Sequence, residues 1–182
     1  MKIPKLLKIT SRTSSITNAF IQAIIPTIPW SEEEQQEALS KLSMSKSDMK
    51  CVYCGSKTTD WDHLRPLVRN KKPTGYLHEI RNLVPACGPC NQSKGGQDWD
   101  RWFHSKTANS PTKRKIEDLE TKYNNIDNFF RWGNLSPIEN LVNNTELQKY
   151  WKIHDKIITA MQSAQKEAEI IKSKLHVMST KP

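Results

Sequence analysis

Apolar residues along this 182-residue chain recur with a helical period towards both ends and lose it in the middle. Trp30-Ser31-Glu32-Glu33-Glu34 opens a helix: Ser31 can cap it, Glu34 stands three residues on, and the acids suit the positive helix end. That helix is predicted to run to about Leu42, with Ser43 to Asp48 as a polar joint. In the middle, Thr58-Thr59-Asp60-Trp61-Asp62 reads as a short strand. Leu83-Val84-Pro85-Ala86 reads as its partner, Pro85 marking an edge or a strand end. Between them, Arg65 to Gly75 carries prolines, basic residues and turn formers, and is expected to be loop. Pro89 suits the first turn of a helix, where its missing N–H costs nothing. Trp99, Trp102 and Phe103 share one helical face and are expected in the core.

After a linker over Ser105 to Thr112, residues 113–132 read as an amphipathic helix with Ile116, Leu119, Tyr123, Ile126 and Phe130 in register, ended by Gly133 to Pro137. The C-terminal segment steps by three and four through Leu147, Tyr150, His154, Ile157, Met161, Ala164, Ala168, Ile171, Leu175 and Met178. That is a heptad seam, expected either to pack on the middle module or to pair with a second copy. Three segments result: a helical arm over 1–49, a compact module over 50–104 and a helical extension over 105–182.

Charge changes this picture. Lys and Arg number 28 against 19 acidic residues, a net charge of +9 that favours a polyanionic partner. No run of eighteen apolar residues occurs, which excludes a membrane-spanning helix. The first thirty residues have no continuous apolar stretch and no small-residue cleavage site, so a cytoplasmic protein is expected.

Cys51-Val52-Tyr53-Cys54 and Cys87-Gly88-Pro89-Cys90 are two C-x-x-C knuckles, and together they supply four thiolates for tetrahedral zinc. A closed site of this kind is structural, because it leaves no open position for chemistry. Thirty-two residues separate Cys54 from Cys87, beyond the zinc-ribbon spacing of about 15–20. The insert is where an active site is expected.

That insert runs Trp61-Asp62-His63-Leu64-Arg65-Pro66, then Ile80-Arg81-Asn82-Leu83-Val84-Pro85-Ala86-Cys87, then Cys90-Asn91-Gln92-Ser93-Lys94-Gly95. An Asp-His pair ending the first strand, Asn-Leu-Val opening the second and C-x-x-C-Asn-x-x-Lys-Gly beginning the helix resemble the HNH endonuclease family over a quarter to a third of the chain. The resemblance implies an α+β fold, a small ββα-metal module stapled by zinc and flanked by N- and C-terminal helices.

The residue types suit phosphodiester hydrolysis, which needs an activated water and a cation beside the phosphate. His63 can take a proton near neutral pH and is the candidate general base. Asp62 offers a hard oxygen to Mg²⁺ or Mn²⁺. Neighbours on a strand point to opposite faces, so the pair shares one task only if the strand end bends. By resemblance, Asn91 is the second ligand of that cation, in the HNN form of the signature, and Asn82 bonds backbone across the loop and orients the histidine. Each also has a duller role: turn, cap or core-edge residue.

Lys94, Arg65, Arg69, Lys71 and Lys72 are candidate phosphate contacts. The expected function is a metal-dependent endonuclease acting on double-stranded DNA, of restriction, mobile-element or phage type, with a homodimer through the C-terminal helix as one arrangement. The alternative is a zinc-stabilised DNA-binding module without catalysis. His78, His104, His154 and His176 match no family position; His78 lies in the loop near Asn82, within reach of a metal or a phosphate.

Overall fold

A computed structural model describes residues 7–70, 72–138 and 145–179. Contacts group the chain into two units, Gln22–Glu139 and Met1–Ile21 with Asn140–Pro182. Lys71, one of the basic candidates, lies outside the described residues. No helix among them is long and apolar enough to cross a membrane.

The larger unit begins with helix α2 (Glu32–Lys41), following α1 (Thr13–Gln22) of the smaller one. Its start is the capping box written into the sequence: Ser31 Oγ accepts from Glu34 N at 3.2 Å, and Ser31 N donates to Glu34 Oε2 at 2.7 Å. Strand β1 (Asp60–His63) then pairs antiparallel with β4 (Leu83–Ala86), in the register Asp60↔Ala86, Trp61↔Pro85, Asp62↔Val84 and His63↔Leu83. All of β4 is buried. Pro85 has no N–H to give, yet its carbonyl accepts from Val52 N at 3.0 Å, which seats the first cysteine knuckle against the strand.

The stretch expected as loop contains a minimal hairpin, β2 (Val68–Arg69) with β3 (Lys72–Pro73), where Asn70 takes a left-handed φ of 52°. Two paired residues a side carry too little periodicity to be legible. A 3-10 turn over Ile80–Asn82 leads into β4, and α3 (Gly88–Lys94) follows at once. Pro89 sits in its first turn, and Gly95 at φ 49° ends it. Strands β1 and β4 with α3 are the ββα unit.

The core of this unit is aromatic. Trp99, Trp102 and Phe103 of α4 (Trp99–Phe103) are buried with Tyr53, Leu64, Val84, Ile126 and Phe129. Tyr53 meets Trp102 edge-on at 5.0 Å, and Trp102 Nε1 donates to Ser93 Oγ at 3.0 Å. The helix expected over 113–132 is split. A short α5 (Pro111–Arg114) ends at left-handed Lys115, and α6 (Leu119–Gly133) starts after left-handed Asp118. Pro111 and the Ser110 cap start the first piece, and Ile126 and Phe129 bury the second.

In the smaller unit, α1 and α7 (Thr145–Ser179) meet through Thr17 Oγ1 and His154 Nε2 at 2.9 Å, both buried, and through Tyr150 Oη donating to Phe20 O at 2.9 Å. The three-four step of α7 is present with its register rotated. Trp151, Ile158 and Gln165 turn inward beside the expected Leu147, Tyr150, His154, Met161 and Ala168, while Ile157, Ile171, Leu175 and Met178 are exposed.

Candidate functional site

Four free cysteines converge where the two knuckles meet. The sulfurs of Cys51, Cys54, Cys87 and Cys90 all lie within 4.8 Å of one another, with Cys54 and Cys87 at 3.7 Å. A tetrahedral zinc site with bonds of about 2.3 Å has sulfurs roughly 3.8 Å apart, so the donor set fits the ion. Gly55, at φ 74°, turns the first knuckle, and its N–H returns to Cys51 O at 2.8 Å. The second knuckle is the start of α3.

Crowding divides the thiols. Hydrogen bonding to Cys54 pushes the Cys51 thiol up to about 12, Cys51 in turn pulls the Cys54 thiol far down, and Cys51 and Cys54 drive Cys90 far up. Four thiolates cannot coexist here without a cation. Zinc bound by these four residues would supply cross-linking and no chemistry.

Asp62 and His63 leave β1 in opposite directions. The Asp62 carboxylate is buried: Tyr53 Oη donates to Oδ2 at 2.7 Å and Lys94 Nζ to Oδ1 at 3.1 Å. Lys94, itself fully buried, also donates to His63 O at 2.7 Å. Burial pushes the Asp62 carboxyl up against the pull of Lys94 and Tyr53, and burial pushes the Lys94 ammonium down. Burial, then the Asp62 charge, keeps the Tyr53 phenol protonated and therefore a donor.

Both carboxylate oxygens are thus occupied, and a positive charge already stands beside one of them. As placed, this donor set does not fit a hard divalent cation at Asp62.

The half-buried His63 faces another histidine. Its Nε2 lies 2.8 Å from His78 Nδ1, with ring centroids 4.6 Å apart and planes at 69°. Burial, then the charges of His78 and Lys94, hold the His63 imidazole down to about 3, so it is neutral at physiological pH. Burial also lowers His78.

Asn82 is fully buried behind His63. Its Oδ1 accepts from Arg65 N at 2.8 Å, and its Nδ2 donates to Arg65 O at 3.0 Å and Leu77 O at 3.4 Å. Its own carbonyl accepts from Leu64 N at 2.9 Å. The loop leaving His63 is therefore clamped on both sides of one carboxamide.

Asn91, half-buried on α3, stands three residues before Lys94 on nearly the same helical face. Its side chain makes no hydrogen bond among the described residues, and none joins it to Asp62 or His63.

The basic candidates divide. Arg65 is buried, its guanidinium 3.8 Å from the Phe130 ring centroid and donating from Nη2 to Phe130 O at 2.7 Å. Lys94 is inside, as described. Arg69 and Lys72 are exposed on the β2–β3 hairpin, Arg69 Nη2 lying 3.9 Å from Asp98 Oδ2.

Two participants were not among the expected site residues. Tyr53 hides inside a knuckle, where its only signal is an aromatic ring with a polar tip. His78 matches no motif, and its nearness to His63 follows from the fold of the intervening loop.

A family model described as HNH endonuclease matches residues 51–97. The chain is also similar to the CRISPR-associated endonuclease Cas9 of Corynebacterium diphtheriae, 34% identical over 64 residues, which cover 33% of this chain and 6% of that protein. The shared segment is thus a small part of that relative. No solved structure matches the chain. The two matches and the cysteine cluster support a nuclease-like function in general. With β1, β4 and α3 packed on the converging knuckles, the matched segment is an HNH-like ββα fold carrying a four-cysteine cluster that can bind a metal ion.

Proposed function

We infer that the chain is an endonuclease that hydrolyses phosphodiester bonds in double-stranded DNA, with His63 as the general base. The observation that carries this reading is His63 itself: a neutral imidazole at the end of β1, inside the family-matched segment, on a loop clamped by Asn82. In the reaction a water proton passes to the imidazole and the water oxygen forms a new bond to phosphorus. The leaving P–O bond breaks, and its oxygen takes a proton from solvent. An incoming phosphate anion raises the basicity of a ring that burial has depressed, bringing it towards the range where proton transfer is efficient. Arg69 and Lys72 on the exposed hairpin, with the net charge of +9, supply sequence-independent attraction to the duplex. Dependence on Mg²⁺ or Mn²⁺ through Asp62 and Asn91 carries a condition, because Lys94 must first release Asp62. Cutting both strands with one site per chain calls for two copies, and the exposed Ile171, Leu175 and Met178 of α7 are the face assigned to that pairing.

The occupied Asp62 also favours a second reading, a zinc-stapled DNA-binding module that does not cut. Plasmid DNA incubated with the zinc-loaded chain and Mg²⁺ or Mn²⁺ separates the two. Cleavage that falls by about 10²- to 10⁴-fold in His63→Ala, with DNA binding retained, is the expected result. Undiminished cleavage by His63→Ala removes the proposed base, and binding without any cleavage by the wild type selects the second reading.

A further inference from the structure

The contact between His63 Nε2 and His78 Nδ1 has a consequence for which nitrogen of His63 can act. At 2.8 Å one of the two nitrogens must donate a proton to the other. Were His78 the donor, His63 Nε2 would spend its lone pair on that bond and its Nδ1 would carry the proton, leaving no basic nitrogen. Were His63 the donor, its Nε2–H would point at His78 and its Nδ1 lone pair would stay available. His63 Nδ1 makes no hydrogen bond among the described residues. The second arrangement is the one compatible with a base.

We propose that His78 is a positioning residue for His63, accepting from its Nε2–H and so holding it in the tautomer whose Nδ1 is the basic nitrogen. The reach is built into the fold. His78 O accepts from Ile28 N at 2.8 Å, and Thr27 bridges to His78. The segment before α2, outside the family-matched residues 51–97, thereby fixes the ring that fixes His63. When His63 takes a proton, its bond to His78 turns from neutral to charge-assisted and strengthens as the reaction proceeds. The arrangement assigns His63 the same kind of support that a carboxylate gives a triad histidine, from a neutral acceptor.

This inference rests on the nuclease reading for its catalytic part only. The test is the imidazole ¹⁵N spectrum of the zinc-loaded full chain labelled at histidine, together with cleavage kinetics. In the wild type, His63 should read as protonated on Nε2 and bare on Nδ1, and in His78→Ala the two nitrogens should average. His78→Asn places a carboxamide oxygen where Nδ1 stood and should restore the single tautomer. His78→Ala should lower kcat about ten- to hundred-fold with KM unchanged, and His78→Asn should recover most of it. A merely structural His78 would leave the tautomer alone.

An inert wild type with His63 in the Nε2–H form removes the nuclease reading while the pairing stands. A cutting wild type whose His63 carries its proton on Nδ1, or whose spectrum ignores His78→Ala, keeps the nuclease reading and overturns this inference.

Discussion

Replacing Lys94 with Met removes a buried cation and keeps the length of its side chain. Lys94 is fully buried, and its ammonium donates to Asp62 Oδ1 at 3.1 Å, His63 O at 2.7 Å and Gly95 O at 3.4 Å. At 3.1 Å and an effective dielectric near 20, the attraction to Asp62 is about 5 kcal/mol. The thioether cannot donate, so Asp62 keeps its hydrogen bonds from Tyr53 and the His63 backbone but no charge partner. Breaking a buried pair on one side costs about 3–5 kcal/mol, and Lys94→Met should lose that much at pH 7.

The loss depends on pH in a definite direction. Burial already holds the Asp62 carboxyl above its ordinary range, and without Lys94 it rises further. A carboxyl raised in the folded state penalises folding once it must ionise, so the deficit is full above the folded value. It shrinks as pH falls, and below the ordinary carboxylate value Asp62 is neutral both folded and unfolded. Asp62→Asn in the same chain removes the stranded charge, and the double variant should be about 1–3 kcal/mol more stable than the sum of the single losses.

The assay is urea unfolding of the zinc-loaded chain at fixed free zinc, followed by fluorescence of the buried Trp99 and Trp102. A Lys94→Met loss under about 1 kcal/mol at pH 7, or one that grows as pH falls, would refute the reasoning.

Two further outcomes follow from the same contacts. Asn82→Ala deletes one acceptor and two donations from a fully buried carboxamide, leaving Arg65 N and Arg65 O unpaired. It should cost about 2–4 kcal/mol by thermal unfolding, and Asn82→Asp should not rescue it, because a carboxylate cannot donate. Zinc should bind at one ion per chain by elemental analysis. Its removal by a strong chelator, or Cys87→Ser, should abolish the cooperative unfolding of the module in calorimetry; a chelated chain that still melts cooperatively at the same temperature would show that the knuckles do not need the ion.

Much of the larger unit was legible because its signals are local. The Ser31–Glu34 box, Pro89 in the first turn of α3, and the Trp99–Trp102–Phe103 face each depend on residues one turn apart, and local sterics and hydrogen bonds decide them. The split between α5 and α6 was not legible, since Lys115 has no preference for the left-handed backbone it adopts, and an Asp118 that tolerates that conformation is equally common inside or at the start of a helix. The register of α7 was missed for a related reason: a helix with apolar residues on several sides chooses its buried face by what it meets, here Thr17 and Phe20 of α1.

By itself the chain's sequence determined the two knuckles, the strand-strand-helix order between them and the histidine at the end of β1, because spacing and side-chain type dictate these within a few residues. Only the tertiary structure decided which polar groups meet. It turned Asp62 inward to Tyr53 and Lys94, buried Arg65 on Phe130, and carried His78 across fifteen residues to His63. Such pairings arise because a buried polar atom without a partner is costly, although Arg65 Nη1 is left without one, and the space in which partners meet is defined only once the whole unit has folded.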